Sequence, residues 1–338
     1  MSTIKAYAAD GPKQPFKPFQ YDPGQLGVEE VEVAVDYCGI CHSDLSMLNN
    51  DWGMTKYPFV GGHEVIGKIS AVGSNARGLK VGQSVGVGWT AESCMACQQC
   101  LSGDHHLCAN ARGTIVQRHG GFATHLRVHW AWAIPMPEGL DASKVGPLFC
   151  GGITVFNPLM QLNIKPTDRV GVVGIGGLGH MALKFIRAWG CEVVAFTSSE
   201  SKHDEALSLG AHRVVNSRNS DDIAKLAGSL DAIISTVNVT MDWNALIAAL
   251  APHGKLHIVG AVAEPISFAI FPLIMGARSI SSSPTGSPTG IATMLTFAAR
   301  HGVEPTTELY PMSKINEAFE RLISGKARYR IVLQNDLN

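Results

Sequence analysis

The stretch Arg169-Val-Gly-Val-Val173-Gly174-Ile175-Gly176-Gly177-Leu178-Gly179 decides how the second half of this chain folds. Its first five residues are the kind of run that fills a buried strand, and residues 180–189 behind the glycines read as a helix. A G-x-G-x-x-G pattern alone is weak, because glycines punctuate many turns. Set between a strand and a helix, inside a unit of about thirty residues, it predicts a dinucleotide site. The glycines permit a tight turn and let a pyrophosphate approach the amides at the helix N-terminus.

Further strands are expected at residues 192–197, 213–215, 232–236, 256–259 and 279–281, with helical stretches between most of them, 202–209 among these. That alternation predicts a doubly wound parallel sheet. Residues 281–289 (SSSPTGSPT) read as a long loop and a domain edge. The end of the second strand bears on cofactor choice. A site for NAD usually places a carboxylate there to hold the ribose hydroxyls. This chain has Thr197-Ser198-Ser199, with Lys202 following. Hydroxyls and an ammonium suit a 2′-phosphate, so NADP(H) is expected. Glu200, if turned inward, would favour NAD.

The first half has another texture. Its glycines sit among short β-branched runs at 31–35, 65–69 and 85–87, which predicts a small, much-turned β domain. Cys94, Cys97, Cys100 and Cys108 fall within fifteen residues. Four thiolates so close can satisfy one tetrahedral Zn²⁺. Disulfides fit poorly, since no secretory signal precedes the cluster. A ferredoxin-type iron–sulfur run would continue with three residues and Cys-Pro, whereas seven residues intervene here and Ala109 follows.

Three other segments carry candidate ligands: Cys38-Gly-Ile-Cys41-His42-Ser43-Asp44, Gly61-Gly-His63-Glu64 and Cys150-Gly-Gly-Ile-Thr154. Taken singly, Cys38 and Cys41 could be a redox pair, His63 a turn histidine and Cys150 a small buried hydrophobe. Two thiolates and an imidazole on one zinc would leave a position for water or substrate. The chain of 338 residues has 46% hydrophobic and 16% charged residues and a formal net charge of -1. That is a soluble globular balance with no electrostatic case for nucleic acid or membrane, and a zinc-ribbon nucleic-acid module would need a basic face. The start lacks the apolar core of a signal peptide, so a cytoplasmic protein is expected.

These motifs, in this order and spacing, resemble the zinc-dependent medium-chain alcohol dehydrogenases. The resemblance runs from Tyr37 to Arg330 and is closest in kind to the cinnamyl alcohol dehydrogenase subclass, especially its bacterial NADPH-dependent aldehyde reductases. It implies an α/β chain with a GroES-like β-rich catalytic domain at 1–151 and 288–338, and a Rossmann domain at 152–287. It implies Cys41, His63 and Cys150 as ligands of a catalytic zinc, Glu64 as an exchangeable fourth ligand, and Asp44 orienting His63. A second, structural zinc falls to Cys94, Cys97, Cys100 and Cys108. Ser43 matches a proton-relay hydroxyl, His42 a cofactor-phosphate contact, Thr154 a residue beside the nicotinamide, and Arg330 a pyrophosphate contact. Many relatives carry histidine where Ser46 stands, so the last proton step is expected to use water. Trp52 and Trp89 match substrate-cleft segments, although both could be core tryptophans. The activity implied is hydride transfer between NADPH and broad apolar or aromatic aldehydes, in a homodimer. A metal-free quinone-reductase-like enzyme of the same fold is the rival that the retained ligands argue against.

Overall fold

The computed structural model describes residues 3–337, which divide into two compact units. One unit runs through Ile153 and resumes at Thr285; the other is Thr154–Pro284.

The first unit is β-rich. Its central strand, Glu30–Ile40, pairs antiparallel with Val65–Val72, His125–His129 and Arg330–Gln334. Alternation buries Val31, Val33 and Val35 on the core face. A register shift between Val35 and Tyr37 then breaks the period, and Cys38, Gly39 and Ile40 are buried in succession. The strand thus ends inside the protein, with Ile40 opposite Ile331 and Cys38 opposite Val65. Cys41, Glu64 and Arg330 are delivered to one place by these three strand ends. Beneath them Phe16, Phe122 and Phe319 pack with edge-on and tilted contacts at 4.9–6.0 Å between ring centroids. Each buried phenylalanine contributes about 2–3 kcal/mol of burial free energy.

The second unit is a parallel six-stranded sheet. Its strands are β1 (Arg169–Val173), β2 (Glu192–Thr197), β3 (Arg213–Asn216), β4 (Leu230–Ser235), β5 (Leu250–Ile258) and β6 (Ser279–Ser282). Their order is β3-β2-β1-β4-β5-β6, the doubly wound order of dinucleotide-binding sheets. The inner strands read as apolar runs because both faces are covered, as in β1, where Val170, Val172 and Val173 are fully buried, whereas the edge strands β3 and β6 are more polar and more exposed. The expected loop at 281–289 is shorter than its composition suggested. β6 continues to Ser282, whose hydroxyl donates to the Ile258 carbonyl, and the helix Pro288–His301 begins at the second Pro-Thr.

The serines of this segment serve a buried histidine. His257 on β5 lies with Nδ1 2.9 Å from Ser281 Oγ and Nε2 3.0 Å from Ser283 Oγ. Burial pushes its pKa down to about 4. The folded state therefore resists a proton that the unfolded chain accepts near its ordinary value. Stability is full above roughly pH 6.5, falls as pH drops and levels off below about 4. The expected loss is about 2 kcal/mol by pH 5. Urea titrations of wild type and His257→Gln across this window check it; equal pH slopes in the two proteins would refute the assignment.

Candidate metal and dinucleotide sites

Asp44 organises the first cluster. The helix His42–Asn49 starts from Cys41 in extended conformation, which puts Asp44 at its third position. There the carboxylate reaches back along the chain: Oδ2 accepts the Cys41 N–H at 2.9 Å, and Oδ1 accepts the Gly62 N–H at 2.8 Å. Oδ1 also faces His63 Nδ1 at 3.1 Å. A carboxylate in that role accepts, so Nδ1 carries a proton, and Nε2 is the nitrogen that would offer its lone pair to a metal in the cluster. Asp44, His63 and Glu64 are fully buried.

Ligand atoms of Cys41, His63, Glu64 and Cys150 all lie within 4.8 Å of one another. His63 Nε2 is 3.3 Å from Cys150 Sγ. The Cys150 contact, opposed by burial and aided by Arg330 and His63, holds the Cys41 thiol well below its ordinary pKa. Its Cys41 neighbour and burial push Cys150 well above that range. Burial opposes a proton on His63, but Asp44 and Cys41 outweigh it and raise its pKa. Two thiolates this close repel, so both can ionise fully only around a cation. Two sulfurs, an imidazole nitrogen and a carboxylate oxygen, buried together, make a donor set that fits zinc.

Glu64 has a second partner. Its Oε1 accepts a hydrogen bond from Arg330 Nη2, and Arg330 is itself buried. Burial raises the Glu64 pKa to about 7 against the opposing pull of Arg330. Arg330, expected at the cofactor pyrophosphate, thus has its observed partner in the metal cluster. The two residues stand 266 apart in the chain, and no spacing signal announces the pair.

Around the cluster, Ser43 Oγ is 3.7 Å from Cys41 Sγ, and His42 is exposed. The Trp89 ring stands edge-on to His63 at 5.1 Å and 87°, and Trp52 meets Trp89 at 6.0 Å and 79°. Trp52 is 39% exposed, so it is no core tryptophan. Cys38 is a packing residue, its thiol donating to the Gly39 carbonyl.

The four-cysteine lobe gathers its sulfurs through two short helices. Gln98–Leu101 carries Cys97 and Cys100 to one side, and the turn His105–Leu107 returns Cys108. All four sulfurs fall within 4.8 Å of one another, with Cys108 Sγ 3.5 Å from Cys94 Sγ. All are free thiols, so the disulfide alternative is not adopted. Backbone amides of Ala96 and Cys97 draw the Cys94 pKa down to about 6, while burial and sulfur neighbours push Cys100 to about 11.

In the second unit, three glycines divide the work of the loop. Gly174 has φ +86°, Gly179 has the Gly174 oxygen 1.8 Å from where a Cβ would lie, and a Cβ on Gly176 would meet open space. The first makes the turn, the third allows helix α1 (Gly179–Trp189) to pack, and the second leaves room for a phosphate. The N-terminus of α1 has no side-chain cap, which leaves its amides for an anion. Gly177 and Leu178 complete the loop, and Lys202 Nζ donates to the Ile175 carbonyl at 2.8 Å. Thr197 is buried, Ser198 exposed, and Ser199 partly buried with its N–H on Thr197 Oγ1 at 3.3 Å. Glu200 is exposed in the turn Glu200–Lys202, and Thr154 is buried in the helix Gly151–Gln161.

Sequence profiles match two parts of the chain: the alcohol dehydrogenase GroES-like domain at residues 27–138 and the zinc-binding dehydrogenase domain at 177–300. Aldehyde reductase AdhA of Synechocystis sp. is 54% identical over 335 residues, covering 99% of this chain and 100% of the relative. Among solved structures, a cinnamyl alcohol dehydrogenase of Sorghum bicolor superposes with a TM-score of 0.94 at 35% identity over 98% of both chains. The CAD from Helicobacter pylori complexed with NADP(H) gives 0.90 at 30% identity, again over 98% of both. The buried thiolate–imidazole cluster, the four-cysteine lobe and the parallel sheet with its glycine loop accord with these matches: the chain belongs to the zinc-dependent medium-chain alcohol dehydrogenases, in the company of their cinnamyl alcohol dehydrogenases.

Proposed function

We propose that this alcohol dehydrogenase is a zinc-dependent, NADP(H)-using aldehyde reductase that forms primary alcohols from apolar or aromatic aldehydes. The observation that carries the reading is the buried set Cys41, His63, Glu64 and Cys150, with Glu64 also bonded to Arg330. Cys41, His63 and Cys150 hold one zinc, and Cys94, Cys97, Cys100 and Cys108 hold a second. When bound, the first ion supplies Lewis acidity toward an aldehyde oxygen, and NADPH supplies the hydride.

The chain's own residues do the rest. Asp44 fixes the tautomer and direction of His63. Ser43, beside Cys41, passes a proton toward the substrate oxygen, and water completes the path where Ser46 stands. Trp89 and Trp52 give an apolar wall that excludes water and accepts a hydrophobic aldehyde. Gly174 to Gly179 would receive the pyrophosphate, and His42 and Thr154 keep the cofactor roles that the family resemblance implies. Arg330 serves Glu64 before any phosphate. Ser198, Ser199 and Lys202 receive the 2′-phosphate, with Thr197 bracing the strand end; the NADP(H) complex of the H. pylori relative supports that choice.

Kinetics on an aldehyde panel with NADPH and NADH, together with zinc quantification, test the proposal. Two zinc ions per chain and NADPH-dependent reduction are expected. Activity untouched by a chelator that strips both ions would sink it. Lys202→Ala should cut the NADPH/NADH ratio of kcat/KM about tenfold, the worth of one charge-assisted phosphate contact of roughly 1.4 kcal/mol; an unchanged ratio would remove Lys202 from the phosphate site.

A homodimer is supported by the second unit. Its sheet ends in the edge strand β6, beside an exposed apolar helix, Phe271–Gly276, in which Phe271, Ile274 and Met275 are 64–70% exposed. Light scattering should find a particle of twice 36.0 kDa. Ile274→Asp should shift it toward monomer; a wild-type monomer at micromolar concentration would end this reading. Among the described residues no helix is long and apolar enough to cross a membrane.

A further inference from the structure

Gly39 lies in the strand Glu30–Ile40, opposite Val332, with no positive φ to require a glycine. The requirement comes from its neighbour. A Cβ on Gly39 would stand 2.1 Å from Glu64 Oε2, 2.9 Å from Glu64 Cβ and 3.2 Å from Glu64 Cδ. These three nearest contacts all belong to Glu64, and the first two are closer than real Cβ contacts allow. The Glu64 main chain cannot retreat easily. Its carbonyl accepts the Gly39 N–H at 2.9 Å, and a Cβ on Gly146 would meet the same oxygen at 2.6 Å. The side chain must therefore yield. Its Oε1 sits on Arg330, while Oε2 is buried without a hydrogen-bond partner among the described residues. One Glu64 carboxylate oxygen lies within 4.8 Å of the donor atoms of Cys41, His63 and Cys150.

We infer that Gly39 is a positioning residue: its missing side chain leaves the slot in which the Glu64 carboxylate rests between Arg330 and the donors of the metal position. A methyl group at residue 39 fills that slot and displaces the carboxylate from this seat, so its hold on Arg330 and its reach to the three donors change together. The coordination of the metal position changes with them. This rests on the proposed reading of Cys41, His63 and Cys150 as metal ligands.

The test is a double-mutant cycle on the full-length protein: wild type, Gly39→Ala, Glu64→Gly and both together. Co²⁺ replaces zinc so that visible absorption reports coordination. Gly39→Ala should shift the Co²⁺ bands and lower kcat/KM at least tenfold. Adding the same alanine to the Glu64→Gly protein should change neither, because the clashing atoms are gone. An equal penalty in both backgrounds would show that residue 39 acts through the main chain and would overturn the inference, as would a silent Gly39→Ala. Should the unpaired Arg330 prevent Glu64→Gly from folding, Glu64→Gly with Arg330→Met supplies the background. Failure of wild type to take up metal would count against the zinc reading alone. Urea stability of the same four proteins would still decide the slot: a Gly39→Ala penalty present only with Glu64 supports it, and an equal one refutes it.

Discussion

Cys150→Ser should lower kcat/KM for NADPH-dependent aldehyde reduction by about a thousandfold or more and reduce zinc from two ions per chain to one. A serine hydroxyl is a poor replacement for a soft thiolate on zinc, and the loss removes the Lewis acid, worth several kcal/mol of transition-state stabilisation. At roughly 1.4 kcal/mol per tenfold, about 4 kcal/mol is a thousandfold. Cys41→Ser should behave alike, since the two sulfurs belong to one buried cluster. Asp44→Asn is the graded companion. It keeps the shape but loses an acceptor for the proton on His63 Nδ1, and a loss of about 10–100-fold is expected. Steady-state kinetics beside elemental analysis read both quantities. A Cys150→Ser protein that keeps full activity, or keeps both ions, would dismiss this cluster as the catalytic centre.

Cys97→Ser should strike stability first. The lobe offers four protein ligands and no position for substrate, so in the proposed reading an ion held there acts as a fold-forming cross-link. We expect loss of that ion to cost roughly 3–5 kcal/mol, which for a chain of this size lowers Tm by about 10 °C. At low temperature kcat per remaining catalytic zinc should stay within about threefold of wild type. Differential scanning calorimetry and zinc counts at matched concentrations decide it. An unchanged Tm after loss of one zinc would deny the lobe a structural role.

How much of this was legible depends on what holds each piece together. The inner strands of the sheet show in the sequence because burial on both faces makes them apolar runs, as Val170 and Val172 illustrate, and the short edge strands β3 and β6 follow from the strand–helix alternation. The four-cysteine lobe shows because its ligands are local. Cys41, His63 and Cys150 have bland readings singly, and only the family resemblance grouped them; the structure brings their donor atoms together. Arg330 shows the limit most plainly. Its pairing with Glu64 is made by two strand ends meeting across the sheet, and nothing near either residue in sequence encodes that encounter. The serines at 281–283 misled in the opposite sense. Their loop-like composition hid the extension of the expected strand to Ser282 and two hydroxyls that enclose His257.

The placement of the two ligand sets along the chain has a kinetic side. One set closes loops of three, three and eight residues; the other spans 22 residues from Cys41 to His63 and 87 from His63 to Cys150. Loop-closure entropy grows with the logarithm of length, and short loops close within fractions of a microsecond. The lobe can therefore collect its ion on a newly made stretch of chain before any sheet exists. The buried cluster has to wait until strands far apart in synthesis have found register, so the proposed catalytic site is the later of the two to be able to accept metal.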